Sequence, residues 1–566
     1  MKADVETYKK IYYSEDPING ELANELRSKL VKVYTEIRAK AHYVSNPNDS
    51  IRIHVDEKSD PYSLNHLPAT LIITHLVNRA SVLLDGSPGC GKTKTVKIVS
   101  RLMTGTSMRH MDNVIYCDEE LTKEKWLATP DVKKMMARPG EMDEKNDDAF
   151  PVIWAPFFQD DYDGIDFVAD EINRANPKTQ SEFLSWMAEG LVQYSVSAKK
   201  DVQEFRMFMT RNPIDAKVGT SIYPLNFAFK DRITQSVRVY LPSSYSMKRV
   251  SDVRKDDRNY ELTEDDEIKP IMTTGDVRNA TILASKIPVT EMGERYARYI
   301  VRDASLCLSS PGYDKTQTQK QIGTSLCDGC HFNNVTNYHC QKYYGGSMRV
   351  YTDLLAVSKA YCFWLGISKV NEHVIKSVAI DVLSHRILIV PSMLERDKSV
   401  NDEREFLSNY LINWSFSKLQ MRQATEEAYE RLYDGTSTNP TKDQQLIILN
   451  AKNDIYILAD LLPMVMRIEM EGNKMSPKEK ITSSTDHSDY RIKAKEINNT
   501  MKDDEMDLND KMKKLKEVYR EIETEKIPFV TNLIDMIYAG FREIDEMKKK
   551  QMFKTGYKNE QDNRSR

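Results

Sequence analysis

The run Gly86-Ser87-Pro88-Gly89-Cys90-Gly91-Lys92-Thr93 constrains this chain more than any other segment. It spells G-x-x-x-x-G-K-[ST], and each position has a physical reason. The glycines let the backbone curl until several N–H groups point at one anion. A helix that follows adds the positive end of its dipole at the same spot. Lys92 can then reach the outer phosphates of a triphosphate, and the Thr93 hydroxyl can hold a divalent cation. The pattern works only between a strand and a helix. Ser81-Val82-Leu83-Leu84-Asp85 is a short β-favouring run. From Lys94 to Met103, the residues Val96, Ile98, Val99, Leu102 and Met103 recur near a helical spacing. Gly86 to Thr93, with Lys94 beside them, is therefore a candidate triphosphate cradle.

A chain of 566 residues favours several domains. With 40% hydrophobic and 29% charged residues it has apolar material for real cores. Residues 1–67 read as a helical segment, with Leu22, Leu26, Leu30, Val33, Tyr34 and Ile37 at spacings of three and four. Residues 68–247 alternate short β runs with helices, as in a three-layer α/β domain around a parallel sheet. The β candidates are 81–85, 114–117, 164–169, 205–210 and 236–241. Residues 248–395 read as a helical lid, opening on a charged linker (248–275) and interrupted by a Cys-bearing insertion at about 306–344. Residues 396–550 form an all-α C-terminal domain in this reading. Leu508, Met512, Leu515, Tyr519 and Ile522 make a heptad seam there. The polar residues 551–566 read as a disordered tail.

A phosphate loop binds; hydrolysis needs more. Gly164 to Glu171 is an apolar run ending in Asp170-Glu171, and a buried strand of that kind sets both acids at the sheet's carboxyl edge. Asp170 would belong to the Mg²⁺ shell, and Glu171 would orient or deprotonate the attacking water. Phe205 to Thr210 is a further strand that leads to Asn212, which could place that water. Arg232, in Phe227-Ala228-Phe229-Lys230-Asp231-Arg232-Ile233, could neutralise a γ-phosphate in trans.

Together these segments resemble MoxR-type AAA+ ATPases. The resemblance is carried by Asp170-Glu171-Ile172-Asn173-Arg174-Ala175-Asn176-Pro177-Lys178-Thr179-Gln180 with Met187-Ala188-Glu189. It continues in Asn212-Pro213, Gly219, Tyr223-Pro224-Leu225 and Asp231-Arg232. It ends in Gly345-Gly346-Ser347-Met348-Arg349 and a helical lid with His385-Arg386-Ile387, so that it covers roughly residues 68–395. It implies a P-loop AAA+ core with a parallel sheet and helical lid, using ATP and Mg²⁺. By resemblance, Lys92 and Thr93 are the phosphate-loop pair, with Asp170 as the Mg²⁺ ligand and Glu171 as the catalytic carboxylate. Asn212 is the sensor between them, Arg232 the trans-acting finger, and Arg349 a lid arginine reading the γ-phosphate of its own subunit. The chain departs from the family pattern at Phe227 and Ile233. Segment 118–160 resembles the helical insert of this clade, and 191–204, with Lys199-Lys200, the hairpin before the sensor strand. A trans-acting arginine implies a subunit interface, and a head-to-tail interface that closes gives a ring, here expected to be a hexamer.

Four of the seven cysteines, Cys307, Cys327, Cys330 and Cys340, fall in the lid insertion. One C-x₂-C pair with further Cys or His nearby (His331, His339) suggests a small structural Zn²⁺ site; reduced thiols or a disulfide are the alternatives. Cys90, Cys117 and Cys362 sit in apolar or glycine-rich runs and read as packed thiols. Lys and Arg number 81 against 85 Asp and Glu, a balance that speaks against a dedicated nucleic-acid or membrane-surface protein. Nucleic acid stays open as a partner through local basic patches. No apolar run is long enough to span a bilayer, and Met1-Lys2-Ala3-Asp4-Val5-Glu6 has no secretory core, so a cytoplasmic protein is expected. The leading expectation is an ATP-hydrolysing ring that remodels or assembles a protein partner, chaperone-like. The resemblance adds partners with a von Willebrand A domain. The alternatives are a nucleic-acid or restriction-type NTPase motor, and an assembly protein that binds ATP without turnover.

Overall fold

The computed structural model describes residues 15–40, 49–106, 113–136, 151–160, 164–212, 223–242, 268–304, 343–389, 402–420 and 506–524, with a few short pieces beside them. The chain divides into two units, residues 1–305 with 343–416, and residues 306–342 with 417–566.

The first unit is built on five strands: β1 (Ser81–Gly86), β2 (Val114–Tyr116), β3 (Asp166–Asp170), β4 (Arg206–Arg211) and β5 (Gln235–Val239). They run parallel in the order β5-β1-β4-β3-β2. Each expected β run is a strand within two residues of its expected limits. Central strands buried on both faces need continuous apolar sequence, and Val82, Leu83, Leu84, Phe167, Val168, Ala169, Met207, Phe208 and Met209 are all buried. The registers bring the strand ends level. Arg211 lies beside Asp85 and Met209 beside Ala169, so the polar ends of β1, β3 and β4 finish at one edge.

The opposite edge is structural. Asp166, at the start of β3, is fully buried and accepts from Thr104 Oγ1 at 2.9 Å, with His75 Nε2 at 3.3 Å. Arg206, at the start of β4, gives its guanidinium to neutral oxygens, among them His75 O at 2.9 Å and Asn78 Oδ1 at 3.0 Å. Burial lowers that guanidinium to about 10.

An aromatic cluster closes one face of the sheet. Trp126 lies 4.5 Å from Phe183, Trp186 4.9 Å from Phe167 and 4.7 Å from Phe205, as ring centroids. It holds segment 118–160 down. Among the described residues this segment is not the helical insert expected. It is a strand pair, Ala128–Pro130 with Val152–Trp154, carrying the short helices Lys123–Trp126 and Val132–Met135. The hairpin expected at 191–204 is present, Leu191–Gln193 pairing with Lys199–Asp201.

Residues 1–67 are not purely helical. The helix Glu21–Lys40 is there, with Leu26, Leu30, Val33 and Ile37 buried, but Ser50–Ile53 pairs antiparallel with Tyr62–Asn65. Only Ile51 and Ile53 alternate inward, too short a pattern to outweigh the helical run before it. The lid supplies the helices Thr274–Ser285, Glu291–Asp303, Met348–Leu365 and Glu372–Leu383. The first unit extends past the expected limit at 395. Arg404 donates to Ser236 O at 3.1 Å and Arg238 pairs with Asp402 at 2.6 Å, which fastens helix Glu403–Leu407 to β5.

In the second unit, helix Leu508–Thr524 buries Lys511, Leu515 and Val518. Of the expected seam Leu515 is buried and Leu508 and Met512 are half-buried, and Lys511 and Val518 lie inside beside them. Lys511 can lie inward because its ammonium donates to Met501 O at 3.1 Å while its stem covers apolar surface. The linker at 248–267, the cysteines at 307, 327, 330 and 340, and the tail 551–566 lie outside the described residues.

Candidate nucleotide site

The loop after β1 does what its glycines require. Gly89 and Gly91 have φ of 76° and 81°, a region costly for any side chain. A Cβ on Gly89 would meet nothing within 4 Å, so the space above the loop is open. Helix Lys92–Thr104 starts directly from Gly91, which aims its first N–H groups into that space. Cys90 is buried and donates its thiol to Ser87 O at 2.9 Å, so its role is packing, and Cys117 and Cys362 are likewise buried and outside any disulfide.

Lys92 Nζ turns back over the loop. It donates to Gly86 O at 2.6 Å, Ser87 O at 2.9 Å and Asn212 Oδ1 at 2.9 Å. Asn212 passes the contact on, its Nδ2 donating to Glu171 Oε1 at 2.6 Å. Thr93 Oγ1 donates to Asp170 Oδ1 at 2.7 Å, and Thr210 Oγ1 donates to the same oxygen at 2.6 Å. Thr210 Oγ1 also accepts the Glu171 N–H at 2.8 Å. The pairing of β3 with β4 thus fixes both acids against the phosphate loop. Two acids lie on β3, and only Asp170 is at this edge.

The donor set suits the expected ligands. Thr93 and Asp170 are hard oxygen donors side by side at the start of a helix, the set Mg²⁺ takes. The open loop with its N–H groups and Lys92 suits a polyphosphate. Bound there, ATP and Mg²⁺ would supply a phosphoryl group open to attack by water. Lys92 and the loop amides would hold its charge, and Glu171 with Asn212 would orient the attacking water.

Arg232 and Arg349 sit together, and apart from that chain of contacts. Asp231 accepts from Ser347 Oγ at 2.6 Å and from Arg349 Nη1 at 2.9 Å. Arg232 follows Asp231 directly. Its Nη1 donates to Ala228 O at 3.0 Å, while among the described residues its Nε is buried without a partner. Burial, then the nearby Arg349 charge, lowers the Arg232 guanidinium below its ordinary value. His385 and Arg386 brace the same turn by donating to Ile233 O at 2.6 and 2.5 Å, and Arg386 also pairs with Asp353. One residue escaped sequence reasoning. Arg174 Nε lies 2.7 Å from Glu171 Oε2. The signal was an i, i+3 spacing of opposite charges, which by itself reads as an ordinary surface pair.

With the geometry in place, comparison with known proteins defines the class. Residues 129–235 match the ATPase family associated with various cellular activities (AAA). Chaperone MoxR1 of Mycobacterium tuberculosis is 25% identical over 319 residues, 56% of this chain and 70% of that protein. YeaC of Bacillus subtilis is 29% identical over 175 residues, 31% of this chain and 47% of its own. A solved chain from Cytophaga hutchinsonii is 21% identical and superposes with a TM-score of 0.47 over 69% of this chain and 96% of its own. The AAA match takes in β3 with its Asp170-Glu171 end and β4, beside the phosphate loop, and so makes this part of the chain similar to AAA ATPases. Within that class it is similar to the MoxR type, as the MoxR1 match and the Asp170 to Gln180 motif agree. Among the described residues, no helix is long and apolar enough to cross a membrane, and no cluster of His, Cys, Asp and Glu could hold a metal ion.

Proposed function

We propose that this chain hydrolyses ATP at the Lys92–Thr93–Asp170–Glu171–Asn212 site and uses the energy, in a ring, to remodel or assemble a protein partner. The observation that carries the reading is the unbroken contact path from Lys92 through Asn212 to Glu171. It joins the group that would hold the phosphate to the group that would activate water. A protein that only bound ATP would have no need of Asn212 and Glu171 in that relation.

Arg232 supports the ring. Among the described residues its guanidinium is held by Ala228 O through Nη1 while its Nε has no partner, and in this reading it serves the nucleotide of another subunit. Arg349 is held by Asp231, the residue before Arg232, so in this reading both arginines address the nucleotide of a neighbour. That departs from the same-subunit role that the family resemblance implies for Arg349. A ring hexamer, a von Willebrand A partner and a zinc site from Cys307, Cys327, Cys330 and Cys340 belong to the proposal; metal analysis of the purified chain tests the last. The chaperone role rests on the name of the MoxR1 relative.

The central test is Glu171→Gln. Steady-state phosphate release should fall by about a hundredfold or more, the scale of losing an acid–base group. ATP binding and assembly should persist. Retained turnover would remove Glu171 from its role.

A further inference from the structure

We propose that Arg174 is a positioning residue that clamps Glu171 in a resting state and must let go before water is activated. The inference rests on the reading of Glu171 as the catalytic carboxylate.

Both oxygens of that carboxylate are already engaged. Oε1 accepts the Asn212 amide at 2.6 Å, and Oε2 accepts Arg174 Nε at 2.7 Å. A carboxylate so held, with an amide on one oxygen and a cation on the other, has two of its four lone-pair sites taken and is not free to turn towards a water. The backbone repeats the hold, since Arg174 N–H donates to Glu171 O at 2.8 Å. Glu171 itself is at φ 55°, one of two described non-glycine residues with positive φ. Such a conformation persists only where surrounding bonds impose it.

The clamp is presented rigidly. The turn Ile172–Arg174 buries Ile172 and Asn173, and Asn173 Nδ2 donates to Asn212 O at 3.2 Å. An exposed ion pair gains little because two flexible chains must be ordered. Here the turn has already ordered the backbone that carries both side chains. Yet the Arg174 side chain is 48% exposed, so it is free to leave.

The contacts then form one line: Lys92, Asn212, Glu171, Arg174. A triphosphate that draws Lys92 off Asn212 Oδ1 loosens the line at one end and lets the Asn212 side chain turn. Arg174 closes the other end, and the bound polyanion competes with Glu171 for its guanidinium. The resting protein would thereby keep its base occupied until the loop is filled.

The test is steady-state ATP hydrolysis by Arg174→Gln, Arg174→Met, Arg174→Lys, Glu171→Gln and the double variant R174Q/E171Q, with ADP affinity and melting temperature measured on each. R174Q should raise kcat by about two- to fivefold, the scale of a half-exposed ion pair, with KM little changed. R174M, which keeps the apolar stem, should do the same and serves should R174Q fold poorly. R174K, which keeps a cation at the spot, should return towards the wild-type rate. E171Q and the double variant should be equally inactive. Folded R174Q and R174M with kcat unchanged or lowered would overturn the clamp. Turnover by E171Q would instead overturn the assignment of Glu171, so the two failures are distinguishable.

Discussion

Gly86 ends β1 with no room for a side chain. A Cβ there would lie 2.3 Å from the Val239 carbonyl oxygen on β5, far inside contact distance. The neighbour is backbone in a paired strand and cannot swing away. Gly86→Ala should therefore cost about 1–3 kcal/mol, the usual range for overpacking, and shift the phosphate loop. Urea unfolding would show a lowered midpoint, and nucleotide affinity would fall with it. An unchanged midpoint would mean that β1 and β5 part more easily than their pairing suggests. At this scale the sequence was informative wherever a residue's chemistry is fixed by its neighbours along the chain. Lys92, Thr93, Asp170 and Glu171 were legible because the motif names the strand end and helix start that place them. Asn212 was legible as the polar residue just beyond a strand. Arg174 was not, because its meaning comes from Asn212 on another strand holding the other oxygen of Glu171. Arg349 was legible as a lid arginine, but its anchor, Asp231, lies 118 residues away.

Helices and strands are fastened to one another by a small charged cluster apart from the site. His66, at the start of helix His66–His75, places Nε2 2.7 Å from Asp381 Oδ2 and Nδ1 3.3 Å from Asp49 Oδ1. Asp381 belongs to lid helix Glu372–Leu383 and is also paired with Arg404. Burial alone would lower the imidazole. Asp381 and the hydrogen bonds to Asp381 and Asp49 outweigh burial and the opposing Arg404, raising it to about 9. A raised histidine stabilises the folded state fully below its unfolded value near 6.5, and the gain is lost as pH rises through the folded value. Thermal stability should therefore decline between about pH 6.5 and 9, by at most about 3 kcal/mol from this group. Melting curves across that window should fall more steeply for wild type than for His66→Gln; parallel declines would contradict it. Sequence patterns do not reveal such a fastening. The β runs were legible because buried parallel strands are continuously apolar, and the hairpin Ser50–Asn65 was missed because it offers only Ile51 and Ile53. In the C-terminal seam Leu515 was legible, but Lys511 beside it was not, because it is buried through a carbonyl partner that no heptad rule anticipates.

Across the whole molecule the question is which nucleotide Arg232 and Arg349 serve. If both arrive from a neighbour, each site is made of Lys92 and Glu171 from one subunit and the two arginines from the next. E171Q, Arg232→Ala and Arg349→Ala should each be nearly inactive alone. Mixing E171Q with R232A before assembly should restore activity, because a site of the R232A chain facing the arginines of the E171Q chain is intact. In a random equal mixture such interfaces are about a quarter of the total. The pair with Arg349 then separates the two roles. If Arg349, paired with the Asp231 that precedes Arg232, acts beside Arg232, E171Q mixed with R349A also recovers. R232A mixed with R349A does not, since no neighbour carries both arginines. If Arg349 reads its own subunit's nucleotide, the pattern reverses: R232A with R349A recovers, and E171Q with R349A stays inactive. Phosphate release from the three mixtures decides the matter, and failure of every mixture to recover would sink the ring-shared site itself.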